Sequence, residues 1–144
     1  MKAFLVAAAL LAATPLAATP LAAKPMHFVE HATTDETAHV GKGADNRGDV
    51  LTFANDVFDA ANRNKVGTDQ GYCVRIVVGK SFECIWTLLL AGGQITVEGP
   101  FLDAGDSTLA VTGGTGKFAA VRGEMKLHSR DAKGSEYDFV YLLR

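Results

Sequence analysis

No cluster of lysine or arginine occurs in this 144-residue sequence, in which 14 basic side chains face 16 acidic ones for a formal charge of -2. Neutralising a polyanion takes a basic patch or stripe, so nucleic acid is excluded as a partner. Histidine is sparse as well: His27, His31, His39 and His128 make no dense set of metal ligands. His27 and His31 share a strand face but stand about 13 Å apart along a straight strand, too far to hold one ion. Asp103 and Asp106 lack calcium-loop spacing, so no metal site is expected. No nucleophile, base and orienting group fall into a recognised pattern. Beyond the first residues there is no apolar run of membrane-spanning length. Convincing helical spacing is missing too, and Asp56–Lys65 shows only a weak trace of it.

The N-terminus is different. Lys2 precedes the apolar stretch Phe4–Ala13, and Leu21-Ala22-Ala23 forms a small-residue cleavage pattern before Lys24. This predicts a secretory signal peptide over residues 1–23. Pro15 and Pro20 break a stretch already short for a membrane anchor. The remaining chain, 24–144, reads as one domain with room for one core and no membrane span. Without Lys2 it holds 13 basic and 16 acidic groups. It is expected to be periplasmic or secreted, and the leader leaves both open.

What the sequence has in quantity is short alternating stretches punctuated by glycine, densest from Gly92 to Gly123. Turns and bulges between antiparallel strands use glycine readily, whereas a helix does not. Met26–His31 reads as a first strand, and Ala38–Arg47 as a loop or weak edge strand. Gly48–Asn55, Gly67–Val78, Phe82–Leu90, Gln94–Glu98, Ser107–Thr112, Phe118–Arg130 and Ser135–Leu143 supply seven more. Gly99-Pro100 is expected to end the strand before it. About eight short strands with short connections predict an all-β fold, an eight-stranded antiparallel closed β-barrel. An open sandwich is the competing architecture, but closure leaves fewer bare edges. The Gly113-Gly114-Thr115-Gly116 break lacks the lysine, the hydroxyl and the strand-to-helix context of a phosphate loop, so it reads as a tight turn or bulge.

Cys73 and Cys84 flank a turn centred near Val78-Gly79. In a symmetric hairpin they face each other on one side, close to the separation a disulfide needs. An exported chain makes the pairing chemically reasonable. The alternative is a small, polarizable pocket wall, and the two roles are compatible.

The segments GDVLTFANDVFDAANRNKVGTDQGYCVRI, FECIWTLLLAGGQITVEGPFLDAGDSTLAVTGGTGKFAAVRGEMKLH and EYDFVYLL resemble plant allene oxide cyclase. LAVTGGTGKFAAVRG also resembles the related dirigent proteins. The resemblance covers Gly48–Leu143. It implies a barrel with an apolar pocket, often trimeric, that binds a hydrophobic or phenolic small molecule. The chemistry implied is ring closure or steered coupling, with neither metal nor organic cofactor. On that basis Cys73 stands at a pocket cysteine, and Asn55 at an asparagine that helps hold a water on the substrate oxygen. Glu30 stands at a pocket glutamate that favours charge delocalisation. Ala32 occupies the position of a motif asparagine, and the following serine-proline pair has no counterpart.

The candidate catalytic residues are therefore Glu30, Asn55 and Cys73. Glu30 either points inward, where burial strengthens its hold on a proton, or lies on the solvent face beside His27 or His31. Asn55 either donates to a ligand or water or caps its own strand end. Arg75 shares the alternation of Cys73 and Val77, and it either binds a carboxylate inside or snorkels at the rim. Phe53, Trp86 and Tyr137 are the candidate pocket aromatics, within a set that includes Tyr72, Phe82, Phe101, Phe118, Phe139 and Tyr141.

Overall fold

The computed structural model describes residues 24–144. The leader predicted over residues 1–23 lies outside the described residues.

Nine strands run in the order β1 (Met26–His31), β2 (Glu36–Ala38), β3 (Val50–Asp59), β4 (Lys65–Val77), β5 (Ser81–Leu90), β6 (Gly93–Leu102), β7 (Ser107–Gly114), β8 (Gly123–Ser129) and β9 (Glu136–Leu143). From β3 onward each strand pairs antiparallel with the next, and β9 returns to β1. Pairing of β1 with β3, from Phe28↔Asp59 to His31↔Asp56, closes the sheet. The result is an all-β, closed, eight-stranded antiparallel barrel. The ninth element, β2, continues the line of β1 along β3, from Glu36↔Thr52 to Ala38↔Val50. The first barrel strand is thus split, with Ala32–Asp35 as the interruption.

The alternation seen in the sequence becomes inside and outside. Asp69, Cys73 and Arg75 of β4 are buried, as are Phe82, Cys84, Trp86 and Leu88 of β5, Ile95 and Val97 of β6, and Phe139 and Tyr141 of β9. Gly71 lies opposite Trp86. A Cβ there would strike the Trp86 Cβ and the Ile85 carbonyl, so glycine at 71 makes room for the only tryptophan. Tyr72 departs from the expected aromatic wall. It is an even-numbered β4 residue, points outward and is half exposed, together with Ile76 and Val78.

Three boundaries differ from the sequence reading. β3 runs on to Asp59 because Val57 and Phe58 pair with Glu30 and Val29, and the turn contracts to Ala60–Asn64. Asp59 organises that turn by accepting from the Arg63 N–H at 3.0 Å and from the Asn64 amide at 2.6 Å. β6 continues through Gly99-Pro100, since Pro100 lies beyond the last β6–β7 register pair, Glu98↔Ala110, where a missing N–H removes no bond to β7. The predicted strand from Phe118 begins only at Gly123. Gly116–Phe118 forms a 3-10 turn instead, packed on the β5–β6 turn by the Lys117 N–H donating to the Gly92 carbonyl. In the glycine-rich break, Gly113 and Gly114 still pair with Thr96 and Ile95 at the bulged end of β7, and the chain turns only from Thr115.

Cys73 and Cys84 are direct cross-strand partners, joined by a disulfide with their Cα atoms 4.0 Å apart. The β4 bulge lies turnward of them, between Arg75 and Val77, and leaves their register intact. A bridge closing so short a loop contributes about 2–3 kcal/mol. Replacing both cysteines by serine should lower the thermal midpoint by several degrees while the β-rich circular dichroism spectrum persists. An unchanged midpoint would mean that the barrel hydrogen bonds alone fix this hairpin.

Candidate active site inside the barrel

One end of the barrel is open. It is rimmed by the β2–β3 segment, the β4–β5 turn and the β6–β7 and β8–β9 loops. A mouth of about 420 Å³ there is lined by Arg75, Phe82, Phe101, Asp103, Lys133 and Tyr137, among others. Phe101, Leu127 and Tyr137 also line a narrower chamber beneath it, of about 40 Å³, with Glu30, Phe53, Cys73, Trp86 and Phe139. The mouth is large enough for a small organic molecule. The chamber has room for about two or three waters or the leading atoms of a ligand.

Of the sequence candidates, Glu30, Cys73, Phe53, Trp86 and Tyr137 converge on this chamber. Cys73 does so as half of the disulfide, so a sulfur–sulfur bond and not a thiol forms the wall. Phe53 and Phe139 pack on Trp86 with ring centroids 5.9 and 5.7 Å away, and Phe101 meets Tyr137 edge-on at 5.9 Å. Arg75 is at the rim. Its Nε lies 2.7 Å from Asp45 Oδ1, as an ion pair without hydrogen-bond alignment. Its other arm donates to Asp103 Oδ1 at 2.6 Å, and its guanidinium sits 3.6 Å over the Phe82 ring centre. Asp45 also accepts from the Gly79 N–H at 2.7 Å. Arg75 thereby ties two rim segments together.

Asn55 lies behind the chamber wall, fully buried. Its Oδ1 accepts from the Thr33 and Thr34 N–H groups at 3.1 and 3.0 Å and from the Thr34 hydroxyl at 2.9 Å. Its Nδ2 donates to Glu30 Oε1 at 2.9 Å and to Asp35 Oδ1 at 2.8 Å. Both amide hydrogens and the carbonyl are therefore engaged by the chain itself. Asn55 holds the break between β1 and β2 in shape and fixes the Glu30 carboxyl.

Sequence reasoning missed Asp69, the register partner of Asn55 on β4 and only 1% exposed. Its phase was a usable signal, because 69, 71, 73 and 75 share one face of the strand. Asp69 Oδ1 accepts from the Asn55 N–H at 3.3 Å, while Oδ2 receives no hydrogen bond from an ordinary donor. Asn55 joins the two carboxyls in one buried cluster, donating through its backbone N–H to Asp69 and through its side-chain amide to Glu30. Burial, then the Asp69 charge, pushes the Glu30 carboxyl well above its usual range, against the Asn55 bond that favours ionisation. Burial also raises Asp69, partly offset by the hydrogen bonds from Glu30 and the Asn55 backbone. Below the pair, the Tyr141 hydroxyl and Trp86 indole N–H face each other without a well-aligned hydrogen bond. Burial and the nearby Asp69 charge hold Tyr141 in its neutral phenol form. Tyr137 is pushed up to about 12 by burial and the Glu30 charge.

The histidines and Asp106 remain outside the chamber and its mouth, whereas Asp103 lines the mouth. His27 pairs with Asp138 at 2.8 Å, His31 stacks on Phe58, and His128 meets Asp106 at 2.7 Å instead of approaching β1. Among the described residues no group of three or more His, Cys, Asp or Glu side chains is arranged to hold a metal.

Two outcomes follow for stability. Asn55→Ala strands the Thr33 and Thr34 N–H groups and loosens Glu30, so urea unfolding should show a loss of about 2–4 kcal/mol. Burial raises both carboxyls, so the folded pair keeps a proton that the unfolded chain releases once pH passes the ordinary glutamate value of 4.5, and gives it up only above that value. Stability should therefore fall as pH rises through the window above 4.5, by up to about 1.4 kcal/mol per pH unit for one proton. His128, raised by its bond to Asp106, adds a loss in the same direction above its ordinary 6.5. Urea midpoints of the wild type and Glu30→Gln across the window separate the two, and parallel curves would count against a proton held by the pair.

The allene oxide cyclase family model matches residues 30–131. Among solved structures, a pyocyanin demethylase superimposes with a TM-score of 0.72 at 25% identity, over 84% of this chain and 100% of that one. A pterocarpan synthase dirigent protein gives 0.66 at 19% identity, over 83% and 92%. The Diels-Alderase AbmU from Streptomyces koyangensis gives 0.69 at 17% identity, over 83% and 63%. The last two speak for a shared barrel alone, while the family match spans the β1 carboxylate, the disulfide hairpin and the glycine-rich turns, and this chain belongs to the allene oxide cyclase family.

Proposed function

We propose that the protein is an exported, cofactor-independent isomerase or cyclase for a hydrophobic small molecule, unsaturated or ring-bearing. The observation that carries this reading is Glu30, a buried carboxyl on an aromatic chamber that opens to a ligand-sized mouth. The ligand body sits in the mouth between Phe82, Phe101 and Tyr137, and its leading end passes to Glu30. A carboxyl that stays protonated in an apolar wall donates to an oxygen or nitrogen on that end and draws electron density from the rest of the ligand. Phe53, Trp86 and Phe139 restrict the ligand to one conformer and exclude bulk water, so positioning supplies much of the acceleration. The name of the similar demethylase adds pyocyanin as a substrate type worth testing beside unsaturated acids and phenolics.

Trp86, the single tryptophan, lines the chamber, so its fluorescence reports occupancy directly. The test is a panel of unsaturated fatty acids, phenolics and pyocyanin, read by Trp86 quenching and by mass spectrometry of products. Glu30→Gln should bind a quenching compound within a few-fold of wild type and turn it over about 100-fold more slowly or worse. Undiminished turnover by that variant would remove Glu30 from the chemistry. The narrowness of the chamber favours one second reading, a barrel that holds the ligand at its mouth and does nothing to it. Quenching without product from the wild type would establish that reading.

Self-association belongs to the same proposal. Tyr72, Val74, Ile76 and Ile85 form an apolar groove on the outer face of β4 and β5, flanked by Glu83 and Glu98. This is the face a trimer would cover. Light scattering of the purified protein should report three chains, and Ile76→Lys should shift the mass toward one. A wild-type monomer would end the trimer reading.

A further inference from the structure

Glu30 of the chamber wall and Asp69 behind it are both buried and both bonded to Asn55, and among the described residues no cation is among their neighbours. Glu30 comes from β1 and Asp69 from β4, with 5% and 1% exposure. Around them are Asn55 from β3, Asp35 from the β1–β2 break, Trp86 from β5, and Tyr137 and Tyr141 from β9. Arg75, inward on the same strand as Asp69, is held at the rim by Asp45 and Asp103. His31 turns outward to Asn62, 2.7 Å away. Two adjacent carboxylates cannot both remain charged in such a setting. The hydrogen bonds say which one holds the proton. Asp69 Oδ1 already accepts from a backbone N–H, whereas its buried Oδ2 is without a donor. Glu30 Oε1 accepts from Asn55, leaving its other oxygen free to carry a hydrogen.

We infer that Asp69 is a positioning residue: it accepts a hydrogen bond from Glu30, so that the two carboxyls share one proton and Glu30 faces the chamber as the acid. The inference rests on the function proposed above for its catalytic meaning, but the shared proton exists or fails independently of any substrate. In an isomerisation the proton lent by Glu30 to a ligand oxygen or nitrogen returns to the pair as product forms. The pair therefore begins and ends each cycle with one proton. While it is away, Asp69 and Glu30 repel each other, which drives the return.

The experiment is a pH titration of side-chain carboxyl carbons by NMR, in protein labelled at glutamate and aspartate, with Glu30→Gln assigning the Glu30 signal. In the wild type Glu30 should remain protonated at pH 6, where an ordinary glutamate has ionised. Asp69→Asn should lower its midpoint by about one pH unit or more, since a neighbouring negative charge is removed. Asp69→Glu, which keeps the charge, should restore a high midpoint. If Asp69→Asn does not fold, the wild-type titration and Asp69→Glu still decide. An ordinary wild-type Glu30 titration, or a midpoint unmoved in Asp69→Asn, would overturn the inference. With a substrate in hand, the basic limb of the kcat profile should move down with the NMR midpoint in Asp69→Asn, which a merely structural role would not produce. A persistent shared proton in a protein with no turnover would sink the proposed reaction and leave the pair standing. Turnover that depends on Glu30 with an ordinary titration would do the reverse.

Discussion

The hydrogen bonds of one buried amide hold this barrel and its site together. Asn55 faces the gap where the first barrel strand is interrupted, and its carbonyl takes the two N–H groups that the interruption frees. Its amide hydrogens go to Glu30 and Asp35 on either side of the gap. Sheet closure between β1 and β3 and the orientation of the chamber carboxyl are therefore one arrangement. A buried amide that left any of these groups unmatched would destabilise the fold, because each unpaired polar group inside the barrel costs about 1–3 kcal/mol.

The site has a polar half and an apolar half, and each has a structural reason. Glu30, Asp69 and Asn55 lie where β1, β3 and β4 meet, beside the split strand. Phe53, Trp86, Phe101 and Phe139 supply the apolar lining of the chamber, with Gly71 making room for the indole. The disulfide sits between the halves and fixes the β4–β5 hairpin that carries both Asp69 and Trp86. At the rim, Arg75 links the Asp45 and Asp103 segments, and Asp49 organises the β2–β3 loop. Burial works against ionisation of Asp49, but hydrogen bonds from His39, the Val40 and Asn46 N–H groups and the Asn46 side chain outweigh it and hold its carboxyl well below the usual range. The rim is thus built from satisfied charges, while the chamber holds an acid pair with no countercharge. That difference makes the chamber, and not the rim, the place where proton chemistry is available.

Alternation and glycine punctuation were enough to read an antiparallel barrel, and two cysteines placed symmetrically about a turn offered a disulfide beside a pocket-wall role, because strand period and hairpin register are local properties. The family resemblance singled out Glu30 and Cys73, and alternation left Glu30 facing either way; the fold brings both onto one chamber with Phe53, Trp86 and Tyr137. What the chain left open depended on partners distant in sequence. Pairing with β1 extended β3 to Asp59, the end of the β6–β7 ladder let Pro100 stay in its strand, and the turn at Gly116 displaced the start of β8. Tyr72 read as wall until its phase on β4 set it outside. Asn55 read either as a donor to a ligand or water or as a cap of its own strand end, and in the fold its side chain bonds Thr33, Thr34, Glu30 and Asp35 instead. Asp69 attracted no notice among other polar residues, since its meaning is its distance from Glu30. By itself the sequence determined the strand pattern and the facing positions of the two cysteines. Only the tertiary structure decided that two carboxyls 39 positions apart join one buried cluster with no cation among the described residues, because barrel closure pairs β1 with β3, whose other edge carries β4, regardless of their separation along the chain.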